Sequence, residues 1–293
     1  MHFYLERLGS WTEERITPAT EEGITAYARA TDDEAALELG GRIAPPVYAI
    51  VPVWDVLQEA SRAMAPAEAR QQVVHGDQDI LISAPIEAGM ELHARAAAVG
   101  VHPKESGTTV VLKTETRDGD GRLLNEQYVV EFYRGIVGDD GGGEPAPDHR
   151  MPEELGAADP AAELTYPLAD DITSRYADAS GDRNEIHLDD EFAKAAGLPG
   201  IIVHGLCMMA FAGRAVLAEH GGRSPAEVRR LAVRFSRPVR PGDRLTTRVW
   251  NGDGGPVRFE TVDGSGATVL KDGLAELVPR PETLHRTGHV GGS

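Results

Sequence analysis

Apolar residues recur near the helical period in two stretches close to the start of the chain. In the first, Ile24 and Tyr27 share an apolar face, and Thr17-Pro18 is a typical start signal, so we predict a helix there. In the second, a proline at position 52 disfavours an earlier helix start, which confines the predicted helix to residues 53–64. Two helices are therefore expected before any strand.

Segments rich in Val, Thr and aromatic residues follow, separated by Gly, Pro and Asp. Such segments are typical of β-strands, and we predict four of them, at residues 80–83, 91–101, 108–116 and 123–134. The turn Asp118-Gly119-Asp120-Gly121 resembles a calcium loop only in its first positions, so we interpret it as a hairpin turn. A helix followed by antiparallel strands is an α+β unit.

The second half of the chain repeats this order around a helix that is apolar on every side. Residues 206–217 leave no polar stripe, which indicates a helix that is buried all round. A short helix with acidic residues in its first turn is predicted just before it, at residues 189–197. The predicted strands of this half are 231–236, 245–250, 257–262 and 267–278. A helix wrapped by a curved antiparallel sheet is the hot-dog arrangement, here present twice.

Short sequence matches between the halves support a duplication. Residues 27–33 align with residues 176–182 at a shift of 149, with four identities in seven, and two later pairs of segments align in the same order. Those pairs are 85–89 with 238–242 and 118–121 with 263–266. We predict domains at residues 1–137 and 165–279, a Gly- and Pro-rich linker at 138–164, and a flexible tail at 280–293.

Charge and composition argue against several classes of protein and of binding site. A formal net charge of −18 argues against nucleic-acid binding, which needs a broad basic face. No apolar run is long enough to span a membrane, and the first residues lack the pattern of a signal peptide, so a cytoplasmic location is expected. A single cysteine, Cys207, excludes an internal disulfide and any Cys-cluster zinc site, and we interpret it as a core residue.

The stretch from Tyr176 to His187 carries the candidate chemistry. Asp182 and His187 lie five residues apart, and a carboxylate together with a neutral imidazole can hold one water and pass protons in both directions. Gly181 permits a sharp turn after the preceding helix, and Asn184 can bind its own loop backbone. The alternatives for these residues are a turn-forming Asp182 and a solvated or backbone-bound His187.

Gly205 opens the buried helix, where its N–H has no helical partner. A donor of this kind suits a carbonyl oxygen that becomes an enolate, whereas the structural alternative is close packing alone. A metal site from Asp182, His187, Asp189 and Asp190 matches no standard ligand spacing, so no metal is predicted.

The string YADASGDRNEIHLDDEFAKAAGLPGIIVHG, residues 176–205, closely resembles the signature of the MaoC-like dehydratases, the (R)-specific enoyl-CoA hydratases or hydratase 2. The resemblance implies that Asp182 and His187 activate a water, that Asn184 holds the loop, and that the amide of Gly205 polarises a thioester carbonyl. Gly181 and His204 are predicted to bind substrate. The implied reaction is the reversible hydration of a trans-2-enoyl thioester to an (R)-3-hydroxyacyl thioester, without a metal or redox cofactor.

The sequence departs from this family at two places. Glu185 stands where the family usually has Pro, which predicts a less rigid loop or a more acidic pocket mouth. Ala212-Gly213 occupies the region where some members place a Ser on the central helix, so the shape of the pocket is not implied by the resemblance.

The first half resembles a degenerate copy of the second. Asp33 aligns with Asp182, but Ala35 and Glu38 stand at the places of the loop Asn and His, and Pro45-Pro46 stands where His-Gly would be. One active site per chain follows, with the first half expected to shape the acyl pocket as in two-domain members of the family.

The substrate's carrier is anionic, whether CoA or acyl carrier protein, and a basic segment is needed to meet it. Residues 229–240 contain the densest set of arginines, and strand alternation places Arg230 and Arg234 opposite the apolar residues. We predict that Arg234 or Arg237 binds a phosphate of the carrier, with ordinary solvated strand charges as the alternative.

Three alternative functions stay open. They are the same chemistry on a specialised or carrier-bound acyl thioester, a hot-dog thioesterase, and a non-catalytic partner subunit. A homodimer is also expected.

Overall fold

The computed structural model describes residues 1–251 and 255–279. Its helices are α1 (Glu21–Ala30), α2 (Glu34–Glu38), α3 (Ile50–Met64), α4 (Glu153–Gly156), α5 (Ile172–Ser180), α6 (Asp190–Ala195) and α7 (Gly205–Glu219). The strands are β1 (Arg15–Pro18), β2 (Val73–Ile82), β3 (Glu91–Lys104), β4 (Gly107–Arg117), β5 (Leu123–Arg134), β6 (Gly142–Gly143), β7 (Ala162–Pro167), β8 (Val228–Phe235), β9 (Arg244–Trp250), β10 (Val257–Val262) and β11 (Thr268–Leu277).

The two halves share one antiparallel sheet. Its strand order is β1-β3-β4-β5-β2-β8-β11-β10-β9-β7, and β6 pairs with β3 off this path. The halves join where β2 pairs with β8, with Gln78 opposite Val233. Each half packs its own long helix against its strands, α3 against β3 and β4 and α7 against β8 to β11, so the predicted double hot-dog fold is confirmed.

The central helices differ in how completely they are buried. Helix α7 buries side chains on every face, as its unbroken apolar sequence predicts. Helix α3 is amphipathic and exposes Asp55 and Glu59. The all-round burial of α7 from Leu206 onward fixes the position of its half-buried first residue, Gly205, which lies beside the candidate site.

Several predicted boundaries were wrong for identifiable reasons. Thr17-Pro18 ends strand β1, and α1 begins only after Thr20, whose hydroxyl accepts the Gly23 N–H at 3.0 Å. Helix α3 begins at Ile50, because Pro52 lies in the first turn, where its missing N–H costs nothing. Strand β2 begins at residue 73, well before the predicted 80, since its polar residues find partners in neighbouring strands.

Residues 138–164 contain more structure than their composition indicates. They hold β6 and α4, and β7 begins within them and pairs with β9. The predicted tail at residues 280–293 lies outside the described residues. Among the residues that are described, no helix has the length and apolar character needed to cross a bilayer.

A buried ion pair joins the two halves. On β8, the Arg230 guanidinium donates to both carboxylate oxygens of Asp79 on β2, with a shortest distance of 2.7 Å. The exposed fractions of these side chains are 15% for Arg230 and 2% for Asp79. Without Asp79, Arg230 would keep only Glu276 at 3.6 Å and the Asp148 carbonyl at 3.2 Å, so its charge would be compensated less well.

We therefore expect Asp79→Ala to lower the free energy of unfolding by about 3 kcal/mol, measured by denaturant titration at pH 7. The matched control is Asp55→Ala, which removes an exposed pair with Arg15 and should cost less than about 1 kcal/mol. Equal losses in the two variants would contradict a special contribution of the Asp79 pair.

Candidate active site

The loop after α5 is held by its own side chains. Gly181 ends the helix in the left-handed region at φ +83°, which favours glycine and turns the chain sharply. Asp182 Oδ1 then accepts the Asn184 N–H at 3.1 Å, and Asn184 Oδ1 accepts the Ile186 N–H at 3.3 Å. Asn184 thereby caps a short 3₁₀ helix, Glu185–His187. These hydrogen bonds hold the loop backbone, and the catalytic role of Asn184 stays a prediction.

His187 is buried with one ring nitrogen committed. Its Nδ1 lies 2.7 Å from the carbonyl oxygen of Ile202. Since a carbonyl can only accept, Nδ1 carries the hydrogen, and Nε2 of the neutral ring has a free lone pair. Burial lowers the pKa of His187 to about 4, against a smaller opposing effect of the Ile202 hydrogen bond. The ring is thus a neutral acceptor near pH 7.

His204 lies directly against this ring. The two imidazoles stack with centroids 3.7 Å apart and planes 24° apart. His204 Nε2 donates to the backbone carbonyl of Asp182 at 3.0 Å, so His204 contacts both members of the predicted pair. Burial, with a further contribution from His187, lowers the pKa of His204 to about 3.

Asp182 completes a compact cluster. A carboxylate oxygen of Asp182 and one nitrogen each of His187 and His204 lie within 4.8 Å of one another. Two acceptors that bind both hydrogens of one water stand about 4–5 Å apart, so this spacing accommodates a shared water. Burial raises the pKa of Asp182 to about 6, opposed by the Asn184 N–H. A carboxylate with such a pKa can accept and return a proton near neutral pH.

The same three side chains have the composition of a metal site, but not its geometry. The lone pair of an imidazole nitrogen lies in the ring plane, and the planes of His187 and His204 are stacked and nearly parallel. Two such rings cannot both direct lone pairs at one ion without turning. The arrangement suits proton transfer better than metal binding, and the absence of a metal cofactor stays a prediction.

Gly205 lies at the first position of α7, behind His204. Its N–H precedes the first helical hydrogen bond, and the positive end of a fifteen-residue helix adds to its field. A Cβ at this position would lie 2.9 Å from the Phe235 ring, so only glycine fits without displacing that ring. The packing alternative and the donor role are therefore compatible at this residue.

Three arginines of the basic segment lie in different places. Arg234 is on the outer face of β8, as the alternation predicts, and its Nε lies 3.9 Å from Asp77 Oδ1. Arg237 is exposed in the turn beyond that strand. Arg240 lies beside the segment between α6 and α7, because its guanidinium would be 3.1 Å from a Cβ on Gly200.

Two aromatic residues lie near the site but are not among the predicted site residues. One belongs to the first half and the other to the second. Trp54 of α3 lies 3.6 Å from where a Cβ of Gly181 would be. Tyr176 of α5 packs its ring 4.9 Å from that of His204. Nothing local in the sequence marks Trp54, whereas Tyr176 stands at the start of the motif.

The aligned loop of the first half has a different structure. Asp33 is buried and accepts the Ala36 N–H at 3.1 Å, which makes it the N-cap of α2. Glu38, at the place of His187, is exposed. In this half a capped helix therefore stands at the place of the loop that carries Asp182 and His187.

Two protein-family models and a known relative match this chain. A family model described as "MaoC like domain" matches residues 154–272, and one described as "MFE-2 hydratase 2 N-terminal domain" matches residues 42–135. The 3-hydroxyacyl-thioester dehydratase Y of Mycobacterium tuberculosis is 35% identical over 216 residues, which are 70% of this chain and 73% of that protein.

Two further proteins extend the comparison. Peroxisomal multifunctional enzyme type 2 of Mus musculus is 30% identical over 228 residues; the match takes in 75% of this chain but 30% of that longer protein. The crystal structure of a MaoC-like dehydratase from Phytophthora capsici superposes with a TM-score of 0.81 at 26% identity, covering 94% of this chain and 98% of that one.

The fold and the loop define a double hot-dog protein whose second half holds a cluster of Asp182, His187 and His204. The chain belongs to the MaoC-like dehydratase family, and its first half matches the N-terminal domain of hydratase 2. The resemblance drawn from residues 176–205 is therefore confirmed.

Proposed function

We propose that this protein hydrates trans-2-enoyl thioesters reversibly to (R)-3-hydroxyacyl thioesters. The observation that carries the proposal is that an Asp182 carboxylate oxygen and a His187 ring nitrogen lie within 4.8 Å of each other, near enough to share one water, beside the N-terminus of a buried helix. The names of its relatives support the chemistry, since one is a 3-hydroxyacyl-thioester dehydratase and one matched domain is that of hydratase 2.

In the proposed step, one water donates its two hydrogens to Asp182 and to Nε2 of His187. Its oxygen forms a bond to C3 of the enoyl group while the Asp182 carboxylate takes a proton from it. The electrons of the double bond move to the thioester oxygen, where the Gly205 N–H stabilises the enolate. Asp182 then returns the proton to C2, so both added groups come from the same water. Dehydration is the reverse sequence.

The carrier of the acyl group is proposed to be CoA or an acyl carrier protein. The basic segment that contains Arg234, Arg237 and Arg240 supports phosphate recognition, and Arg240 is a further candidate, because it lies beside Gly200 in the segment that leads into α7. Gly181 is proposed to line the substrate site. A metal-free and redox-free reaction, a homodimer, a cytoplasmic location and the lack of nucleic-acid partners remain predictions from the sequence.

The direct test is an assay of trans-2-enoyl thioesters of graded chain length on CoA and on carrier protein. Conjugated absorbance should fall, the product should be the (R)-3-hydroxyacyl thioester, and no free thiol should appear. Release of thiol with the double bond intact would indicate a thioesterase instead. No reaction with any chain or carrier would favour a non-catalytic partner subunit.

The pH dependence follows from the raised pKa of Asp182. Its ionised form is the one that accepts a proton from water, so kcat/KM should be flat above about 6 and fall about tenfold per pH unit below it. His187, with a pKa near 4, stays neutral over most of this range. Steady-state rates between pH 5 and pH 9 measure the limb. A rate that rises as the pH falls below 6 would contradict the base role of Asp182.

A further inference from the structure

A column of aromatic rings runs from the degenerate first half into the candidate active site. Tyr27 of α1 and Tyr176 of α5 have ring centroids 5.6 Å apart. The Tyr176 ring lies 4.9 Å from that of His204, which in turn lies 3.7 Å from His187. These are the residues of the ring column: Tyr27, Tyr176, His204 and His187.

A hydrogen bond fixes the start of the column. The hydroxyl oxygens of Tyr27 and Tyr176 are 3.2 Å apart, and the exposed fraction of neither side chain exceeds 1%. Burial raises the pKa of both phenols well above the usual range, so both hydroxyls keep their hydrogens. Because each is the other's polar contact in this environment, removal of one leaves a buried hydroxyl without that partner.

The two tyrosines occupy equivalent positions in the repeat, at the shift of 149 residues. Helices α1 and α5 are also tied at their outer edge, where Arg175 donates to Asp32 and to the Arg29 carbonyl, both at 2.8 Å. The contact between α1 and α5 is thus held at its outer edge by Arg175 and in the interior by the hydrogen bond between Tyr27 and Tyr176.

The far end of the column touches both proton acceptors. His204 stacks on His187 and donates to the backbone carbonyl of Asp182. The position of the His204 ring therefore affects the position of the other two side chains. The Tyr176 ring packs 4.9 Å from that of His204, so a shift of Tyr176 is expected to shift His204.

We propose that Tyr27 is a positioning residue for the hydration site of the other half. Its hydroxyl holds Tyr176, Tyr176 supports His204, and His204 keeps Asp182 and His187 at one-water spacing. The inference rests on the proposed function for its kinetic consequence, but not for its structural one. It gives the degenerate half a role in the chemistry besides shaping the acyl pocket.

The test is Tyr27→Phe, which removes the hydroxyl and keeps the ring. We expect kcat to fall about 3- to 10-fold with KM unchanged, the effect of one buried hydrogen bond that acts on positioning. Tyr176→Phe should have a similar effect, and the double variant should be no worse than either single one. The acidic limb of kcat/KM should move below pH 6, since a looser site admits water and burial raises the Asp182 pKa less.

The matched control is Tyr48→Phe. Tyr48 belongs to the same half and touches the Tyr27 ring edge-on at 5.5 Å, but it is outside the ring column. Its variant should keep kcat and the pH limb of the parent enzyme. If Tyr48→Phe lost as much activity as Tyr27→Phe, the loss would come from general packing and the proposal would be overturned.

Side-chain NMR of labelled histidines separates this inference from the proposed function. The ring signals of His187 and His204 should shift in Tyr27→Phe and Tyr176→Phe but not in Tyr48→Phe. If these shifts occur in a protein that hydrates no thioester, the column stands and the function falls. If the parent hydrates enoyl thioesters while Tyr27→Phe keeps its kcat, pH limb and histidine signals, the column falls alone.

Discussion

Replacement of Asp182 by Asn should lower kcat by about 10²–10⁴-fold, the span usual for a general acid–base group. An amide keeps the shape of the side chain and can still accept the Asn184 N–H, but it cannot take a proton from water. The acidic limb of the pH profile should disappear with it. Steady-state kinetics on an enoyl thioester over a pH series measure both effects.

The same variant should be more stable than the parent at pH 7. The pKa of Asp182 is about 6 in the folded protein against an ordinary 3.8, so the folded state binds the proton more tightly. The stabilisation from this group is present below pH 3.8 and is lost as the pH rises through 6. At pH 7 the buried carboxylate is a cost on the order of 1–3 kcal/mol, which Asn removes. Thermal unfolding at pH 7 should show a raised Tm.

Asp33→Asn is the matched control, because Asp33 aligns with Asp182 but caps a helix in the first half. Asn is an equally good N-cap residue, so neither kcat nor the fold should change appreciably. Parent-like turnover in Asp182→Asn, or an equal loss in Asp33→Asn, would reject the assignment of the site to the second half.

His187→Gln is expected to cost about 10²–10⁴-fold in kcat as well. A Gln side chain can reach toward the Ile202 carbonyl, but it does not present a lone pair where Nε2 stands, so the second hydrogen of the water loses its acceptor. The measurement is single-turnover hydration, which separates the chemical step from product release.

The control for this variant is Glu38→Gln. Glu38 occupies the aligned place in the first half and is exposed, so its neutralisation should leave turnover nearly unchanged. If His187→Gln were as active as Glu38→Gln, the buried imidazole would be a packing residue and the two-acceptor mechanism would be wrong.

The parts of the fold predicted well from the sequence are those with strong local patterns. Helix α7 was predicted because a run that is apolar on every side must be buried, whatever surrounds it. The strands β3, β4 and β5 were predicted because alternation and turn residues are local features.

Strand β2 was predicted only in its last residues, and the reason is tertiary. Its polar positions are satisfied by partners distant in sequence, such as the Gln78 amide that donates to Gln127 at 2.9 Å and Asp79 paired with Arg230. Polar residues in a central strand make the sequence favour a loop there, because the strands that supply their hydrogen-bond partners are not known from the sequence.

The candidate site divides in the same way. Asp182, Asn184 and His187 belong to one loop, so their spacing can be read from the sequence. The contacts of Trp54 with this loop and of Tyr27 with Tyr176 join segments more than 100 residues apart. These side chains come together because α1 and α3 of the first half pack against α5 of the second.

The choice of arginine for phosphate binding shows how a local pattern can point to a segment without selecting the residue. The dense basic stretch is beside the loop, since the Val239 carbonyl accepts the Val203 N–H at 2.8 Å. Strand alternation then places Arg234 on the outer face, whereas Arg240, beyond the turn, lies beside Gly200 in the segment that leads into α7. The local pattern does not show which of these two guanidinium groups lies beside that segment.

The most direct test of the central claim is hydration of an enoyl thioester in oxygen-18-labelled water, with mass spectrometry to locate the label. If Asp182 and His187 deliver one water to C3, the label appears in the 3-hydroxyl group and the thioester stays intact. In Asp182→Asn, formation of that product should nearly cease. Label found in a free carboxylate, or labelled 3-hydroxyl product formed at the parent rate by Asp182→Asn, would contradict the mechanism.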